Sequence, residues 1–380
     1  MTDPVRVAFV SSHAQLGGSE RYLTHLLEGL GPDWIAEVVT LESGPFFDQV
    51  AGLLGRPPRI VPTGRGPGSI LLAAWRVRRM LLRRHGGADV VHANGVKAAL
   101  VCALASIGST VPIVWVKHDF SWDGPLGRAI ARRCRSVVGV SASVLEDLKL
   151  SGGKARVVHS GLPERRYDED EARGHVTEVL GVDRRRPLVL LAGRLHPAKG
   201  QIELIEAVPS VLGRVPEARF VLVGGADDTT PAYEVRVKER ARELGLEGSV
   251  SFLPYRTDAD LFIAGVDVVV IPSVRDDRGM GREGFSLVGL EAMMAGTAVV
   301  AYADGALPEI LGRCASFVPP GDRAALADAI AILLKDRHGR SELAGCGQER
   351  SRAMFSLSSM VEGMKGCYRS AVGASPEVEG

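Results

Sequence analysis

Two rhythms of apolar positions run along the chain. Short apolar runs, most of them closed by Gly, Ser, His or Pro, are separated by longer stretches whose apolar residues fall three or four apart. The first rhythm predicts strands buried on both faces, and the second predicts amphipathic helices laid over them. In the first half, Val5–Ser11, Glu37–Leu41, Asp89–His92, Val111–Lys117, Ser136–Val140 and Arg156–Ser160 read as strands. Glu20–Leu30, Ile70–His85, Val96–Ile107, Leu126–Arg133 and Ala142–Leu150 read as the helices between them. In the second half the strands are Pro187–Ala192, Arg219–Gly224, Val250–Leu253, Val266–Ile271, Ala298–Tyr302 and Ala315–Val318. The helices are Gln201–Leu212, Ala232–Leu244, Asp258–Ala264, Phe285–Ala295, Ala324–Leu334 and Leu357–Val372. Such alternation predicts an α/β protein with parallel sheets covered on both faces. The polar run Arg165–Arg173 reads as a linker between a domain at 1–165 and a second at 174–356.

Composition narrows the class. The 380 residues are 46% hydrophobic and 24% charged, as in an ordinary globular protein of two domains. No apolar stretch reaches the ~18 residues of a membrane span, and the N-terminus leads straight into a strand without the pattern of a signal peptide. Five cysteines show no close pair and no metal-ligand spacing, so idle thiols in a reducing cytoplasm are expected. The net charge of +1 hides an asymmetry: residues 1–165 carry 20 Lys+Arg against 13 Asp+Glu, and the remainder 26 against 32. With Arg76, Arg78, Arg79, Arg83 and Arg84 on one predicted helix, peripheral contact with a membrane through the N-terminal half is an expectation. A solvated outer helix would carry the same pattern.

Four stretches carry candidate chemistry. Gly17-Gly18 lies between the first strand and helix, where backbone can approach a phosphate or a sugar. It does not form G-x-G-x-x-G, which argues against a dinucleotide-binding dehydrogenase. His118 follows directly on a strand, at the end where open α/β sheets bind ligands. Arg194 and Lys199 flank the turn before the helix Gln201–Leu212, and two cations beside free N–H groups can hold a diphosphate without metal. Glu283 and Glu291 bracket seven residues; with Gly284–Ser286 opening a helix, they stand roughly 12 Å apart along its axis at about 1.5 Å per residue. A ligand with a polar group at each end and a phosphate between them suits that spacing. An acidic residue at a helix start and an unrelated surface carboxylate would read the same way. The triplets Asp168-Glu-Asp170 and Asp258-Ala-Asp260 fall in a linker and at a helix start, so neither reads as a Mg²⁺ site.

Taken together and in order, these stretches resemble the retaining nucleotide-sugar glycosyltransferases of family 4, which have the GT-B fold. The likeness rests on Gly193-Arg194 with Lys199-Gly200, Phe220–Gly224, Glu283-Gly-Phe-Ser with Glu291–Gly296 (the E-x7-E motif) and Ala303–Glu309. In the first half it rests on Gly17–Arg21, Asp89–His92 and His118-Asp119. It departs at His159-Ser160-Gly161-Leu162-Pro163, where the family shows Asn-Gly before an aspartate, and at the charged loop 274–282, which is expected to be a lid or an acceptor contact.

The resemblance implies two Rossmann-like domains facing across a central cleft, with the last helix, 357–372, packed back on the first domain. It implies transfer of a hexose-type sugar, from a UDP-sugar by expectation, to a glycan, lipid-linked or small-molecule hydroxyl. Transfer would proceed with retention and without cofactor or obligatory metal. By position, Glu283 contacts the donor sugar and Glu291 the ribose. Arg194, Lys199, Gly284, Phe285, Ser286 and Leu287 hold the diphosphate, Gly17 and Gly18 close on it, and His118 lies near the sugar. Chemically, cations and N–H dipoles would stabilise the charge growing on the leaving diphosphate. A nucleotide-sugar epimerase of the same fold and a non-catalytic nucleotide-sugar-binding protein are the alternatives. An epimerase would need an acid/base set, of which the sequence offers no clear one, and the binding protein would be expected to have a damaged donor site.

Overall fold

The computed structural model describes residues 5–15, 17–64, 66–81, 87–226, 230–275 and 281–373. It divides into two compact units, Met1–Pro163 with Ser356–Gly380, and Glu164–Phe355.

The first unit runs β1 (Val7–Ser11), α1 (Gly18–Leu30), β2 (Ile35–Thr40), α2 (Pro45–Leu54), β3 (Arg59–Ile60), α3 (Pro67–Leu81), β4 (Val90–Asn94), α4 (Val96–Ala105), β5 (Ile113–Lys117), α5 (Pro125–Arg133), β6 (Ser136–Gly139) and β7 (Ala155–Val157). Its sheet is parallel, in the order β3-β2-β1-β4-β5-β6-β7. The central strands β1, β4 and β5 are buried at every position, which is why they read as unbroken apolar runs. Helix α2 was not expected from the pattern; it fills the long gap before the exposed β3. Ala142–Leu150, expected as a helix, is a 3₁₀ segment over Ser143–Leu148. Arg83 and Arg84 lie outside the described residues.

The second unit runs α6 (Glu169–Leu180), β8 (Leu188–Ala192), α7 (Gln201–Leu212), β9 (Arg219–Val223), α8 (Pro231–Glu243), β10 (Val250–Leu253), α9 (Ala259–Gly265), β11 (Val268–Ile271), α10 (Leu287–Ala295), β12 (Ala298–Tyr302), α11 (Leu307–Leu311), β13 (Ser316–Val318), α12 (Arg323–Lys335) and α13 (Arg337–Met354). Its parallel sheet has the order β10-β9-β8-β11-β12-β13. The C-terminal helix α14 (Leu357–Val372) belongs to the first unit and packs on α1; there the Tyr368 hydroxyl meets buried His92 Nδ1 at 2.7 Å.

Two expectations need correction. The run Arg165–Arg173 is not a linker. Asp168 caps α6 by accepting from the N–H groups of Asp170 and Glu171, and the acidic run forms the first turn, where the helix dipole favours it. Ala172 and Val176 give that polar helix its buried side, so the second unit starts at Glu164 rather than 174. The cysteines are not all idle: Cys314 and Cys346, 32 residues apart, form a disulfide joining the 3₁₀ turn after α11 to α13, while Cys102, Cys134 and Cys367 are buried thiols. The distance in sequence hid the pairing.

Candidate donor site

In each sheet the direction of winding reverses beside one central strand, between β1 and β4 in the first unit and between β8 and β11 in the second. Loops at the carboxyl ends of such strands bind ligands in open α/β sheets. Arg194 and Lys199 follow β8, and Glu283 follows β11, so sheet topology brings them to one place.

There Lys199 Nζ lies 2.6 Å from Glu283 Oε1, and Ser273 Oγ donates to the same oxygen at 2.7 Å. The Glu283 side chain is only 11% exposed. Burial pushes its carboxyl upward, but Lys199, Ser273 and the nearby Arg194 outweigh that and hold it below the usual carboxylate range. The backbone is fixed as firmly as the side chain, because Ala306 N–H donates to Glu283 O at 2.8 Å. On the cationic side, Gln201 Nε2 donates to Arg194 O at 2.8 Å, and His196 caps the 3₁₀ turn that carries Lys199.

Two glycines permit this packing. A Cβ on Gly224 would fall 1.8 Å from Gly193 O, and one on Gly200 would fall 1.8 Å from Pro272 O. Gly200 also has φ +69°, so it is needed on both grounds.

The stretch after Glu283 differs from the expectation. Gly284–Ser286 do not open the helix, which begins at Leu287. Ser286 is its N-cap, held at φ 80° and ψ 88°, and its Oγ accepts from Gly289 N–H at 3.2 Å. A non-glycine residue there is strained, and such strain persists where the surroundings over-determine it. The cap explains the correction, since Ser prefers that position to the first helical turn. Glu291 therefore sits one turn into α10, roughly 6 Å past Leu287 along the axis, and is half-buried. The Phe285 ring is buried edge-on against Phe355 at 5.8 Å.

Gly17, Gly18 and His118 lie in the first unit. Gly17 is the N-cap of α1 and Gly18 its first residue, just before buried Glu20, whose carboxyl burial pushes upward. His118 Nε2 meets Asn94 Oδ1 at 2.6 Å, its ring packs edge-on against Tyr22 at 4.9 Å, and burial pulls its pKa down to about 4. Asn94 Nδ2 donates in turn to Ser19 O at 3.2 Å, so the glycine turn and the histidine share one partner. Ser273 and Asn94 were missed from sequence, although each stands at or just past the carboxyl end of a strand, where such residues can be sought. Both Asp-x-Asp triplets are occupied structurally: Asp168 is a cap, Asp258 pairs with Arg256 and His175, and Asp260 pairs with Arg165. Of the charged loop, 276–280 lies outside the described residues, while Arg275 forms a forked pair with Asp304 at 3.0 and 2.5 Å.

Two parallel, doubly wound sheets in two units, with loop-borne charges at the switch point of the second, make up the GT-B fold. The structure of Anabaena HepE in complex with UDP-glucose is similar, with a TM-score of 0.83 and 23% identity over 96% of this chain and 99% of that one. The profile described as Glycosyltransferase Family 4 matches residues 16–166, and that described as Glycosyl transferases group 1 matches residues 186–336. The chain belongs to the family 4 glycosyltransferases. A D-inositol 3-phosphate glycosyltransferase of Nocardioides sp. is 27% identical over 97% of this chain and 91% of its own length. A protein of the same name from Corynebacterium glutamicum is 31% identical over 56% of this chain and 50% of its own.

Proposed function

We propose that this glycosyltransferase takes a hexose-type sugar from a nucleoside diphosphate sugar, a UDP-sugar, and transfers it with retention to a hydroxyl acceptor. The observation that carries the reading is the Lys199–Glu283–Ser273 cluster beside Arg194, built at the switch point of the second sheet. The complexes of HepE with UDP and with UDP-glucose support the choice of donor. Glu283 would accept from the sugar hydroxyls and Glu291 from the ribose, and Arg194, Lys199 and the backbone of 284–287 would hold the diphosphate. Lys199 then has two roles, holding Glu283 ionised and facing the phosphates.

In the reaction the bond from the anomeric carbon to the diphosphate oxygen breaks, the acceptor oxygen bonds to that carbon, and the acceptor proton leaves with the product diphosphate or to solvent. The negative charge collects on the diphosphate, where preorganised cations lower the barrier because they do not have to reorganise. With Arg194 and Lys199 in that role, no metal is required, and activity is expected to survive excess EDTA. Loss of activity in EDTA with rescue by Mg²⁺ or Mn²⁺ would contradict this. Gly17, Gly18 and His118 belong to the acceptor-binding unit in this reading. A thermal-shift screen against UDP, GDP and ADP sugars tests the donor, since stabilisation follows ligand concentration over Kd. UDP-sugars are expected to raise the melting temperature, and a response confined to another base would overturn that choice.

A further inference from the structure

The outer face of α3 is unusual for a solvated helix. At 100° per residue, Leu71, Leu72, Trp75, Arg76 and Arg79 fall within one sector, and Ala73, Ala74 and Val77 fall on the opposite side. The inner three are buried, whereas Leu71 is 59% exposed, Leu72 47% and Trp75 52%. Ile60 of β3 adds another exposed apolar side chain, at 40%. Arg79 stacks over the Trp75 ring at 4.8 Å. Trp75, Arg76 and Arg79 join Arg59, Ile60 and Met80 in lining a shallow hollow of about 470 Å³, and no carboxylate among the described residues lines it. Arg59 keeps Glu37 as a partner, while Arg76 and Arg79 have no ion pair among the described residues.

We propose that this face of α3 docks the protein on a bilayer containing anionic phospholipid. Leucines and a tryptophan flanked by arginines match an interface with apolar chains below and anionic headgroups above. Charge separates this occupant from the others. A second copy would bring arginines against arginines, and a nucleic acid would leave Leu71 and Leu72 uncovered. Membrane attraction adds over the basic residues near the surface and is screened by salt.

The test is flotation of the full-length protein with vesicles of phosphatidylcholine, with and without phosphatidylglycerol, at low and high salt. Binding is expected with phosphatidylglycerol and is expected to fall with salt. It should weaken about fivefold for each arginine in Arg76→Ala and Arg79→Ala. A blue shift of tryptophan emission on these vesicles is expected in the wild type and absent in Trp75→Phe, which keeps the apolar bulk. Donor-nucleotide binding by calorimetry should be the same in all three variants, showing that they fold. The proposal is overturned by absence of binding, by equal binding to pure phosphatidylcholine, or by an unchanged shift in Trp75→Phe. It is equally overturned by a concentration-dependent dimer that Leu71→Ser/Trp75→Ser abolishes, since a second copy then covers the face.

Discussion

Lys199 Nζ and Glu283 Oε1 lie 2.6 Å apart across the switch point of the second sheet, although 84 residues separate them in sequence. The pair is more than a structural tie, because it keeps a nearly buried carboxylate ionised beside an open strand end. Lys199→Met removes the cation and leaves burial to dominate, so the Glu283 carboxyl should shift upward. In the wild type the lowered pKa contributes stability above the ordinary carboxylate range, which is lost as pH falls through the folded value. In Lys199→Met the sign reverses, and stability should decline as pH rises through the raised value. Breaking a buried pair costs about 3–5 kcal/mol as an upper range. The melting deficit of the variant is therefore expected to be larger at pH 7 than at pH 4. A deficit independent of pH would argue against the pairing.

Acid should weaken the first unit through His92. Burial, with a contribution from His118, pulls its pKa down to about 3. The unfolded chain binds that proton near pH 6.5, so stability should fall as pH drops below that point and go on falling to the folded value. The slope is about 1.4 kcal/mol per pH unit for one histidine. His92→Gln should flatten the decline in the denaturant midpoint between pH 6 and pH 4. Tyr368→Phe should lower stability by about 1–2 kcal/mol, because it removes the hydroxyl that meets His92 Nδ1.

Gly200→Ala should damage the candidate donor site more than its chemistry suggests. The new methyl meets Pro272 O, and the left-handed backbone disfavours it as well. Gly245 shares the positive φ, at +68°, but has open space around it, so Gly245→Ala isolates the backbone term of roughly 1–2 kcal/mol. Gly200→Ala is expected to lose roughly 1–3 kcal/mol more and to weaken nucleotide binding. Equal melting temperatures would show that the β8 turn is not held against β11.

The disulfide should be worth several degrees. Closing a loop of 32 residues lowers the entropy of the unfolded chain by about 3–4 kcal/mol in the chain-entropy account. Reduction with dithiothreitol, or Cys346→Ser, should lower the melting temperature of the second unit. Identical melts in oxidised and reduced protein would contradict this.

Much of the fold was legible because parallel sheets bury both faces of each strand, which leaves unbroken apolar runs such as Val268–Ile271 and Ala298–Tyr302. The helices at Gln201–Leu212 and Leu357–Val372 carried the matching periodicity. What failed was polar or distant. Asp168 and its acidic neighbours looked like a linker because a capped helix start and a solvated loop share a composition. Ser286 reads as helix because an N-cap serine and the first helical turn are adjacent in sequence, and only the structure places the start at Leu287. Cys314 and Cys346 were too far apart for spacing to reveal. In the second unit, Arg194, Lys199 and Glu283 were legible as unusual charges past the ends of strands, whereas Glu291 lies in the middle of α10. Ser273 beside them, and Asn94 in the first unit, were not legible, because neutral polar residues leave no charge signal.

Calorimetry with UDP and with UDP-glucose on wild type, Lys199→Met and Glu283→Gln tests the central claim most directly. The wild type should bind both ligands. Lys199→Met should bind UDP about ten- to a hundredfold more weakly, the scale of a lost hydrogen bond to a charged group. Glu283→Gln should keep its affinity for UDP and lose the added affinity for the sugar, with turnover falling more than donor KM rises. If the wild type binds no nucleoside diphosphate, or if both variants bind UDP and UDP-glucose as the wild type does, the Lys199–Glu283 pair is structural and the donor site lies elsewhere.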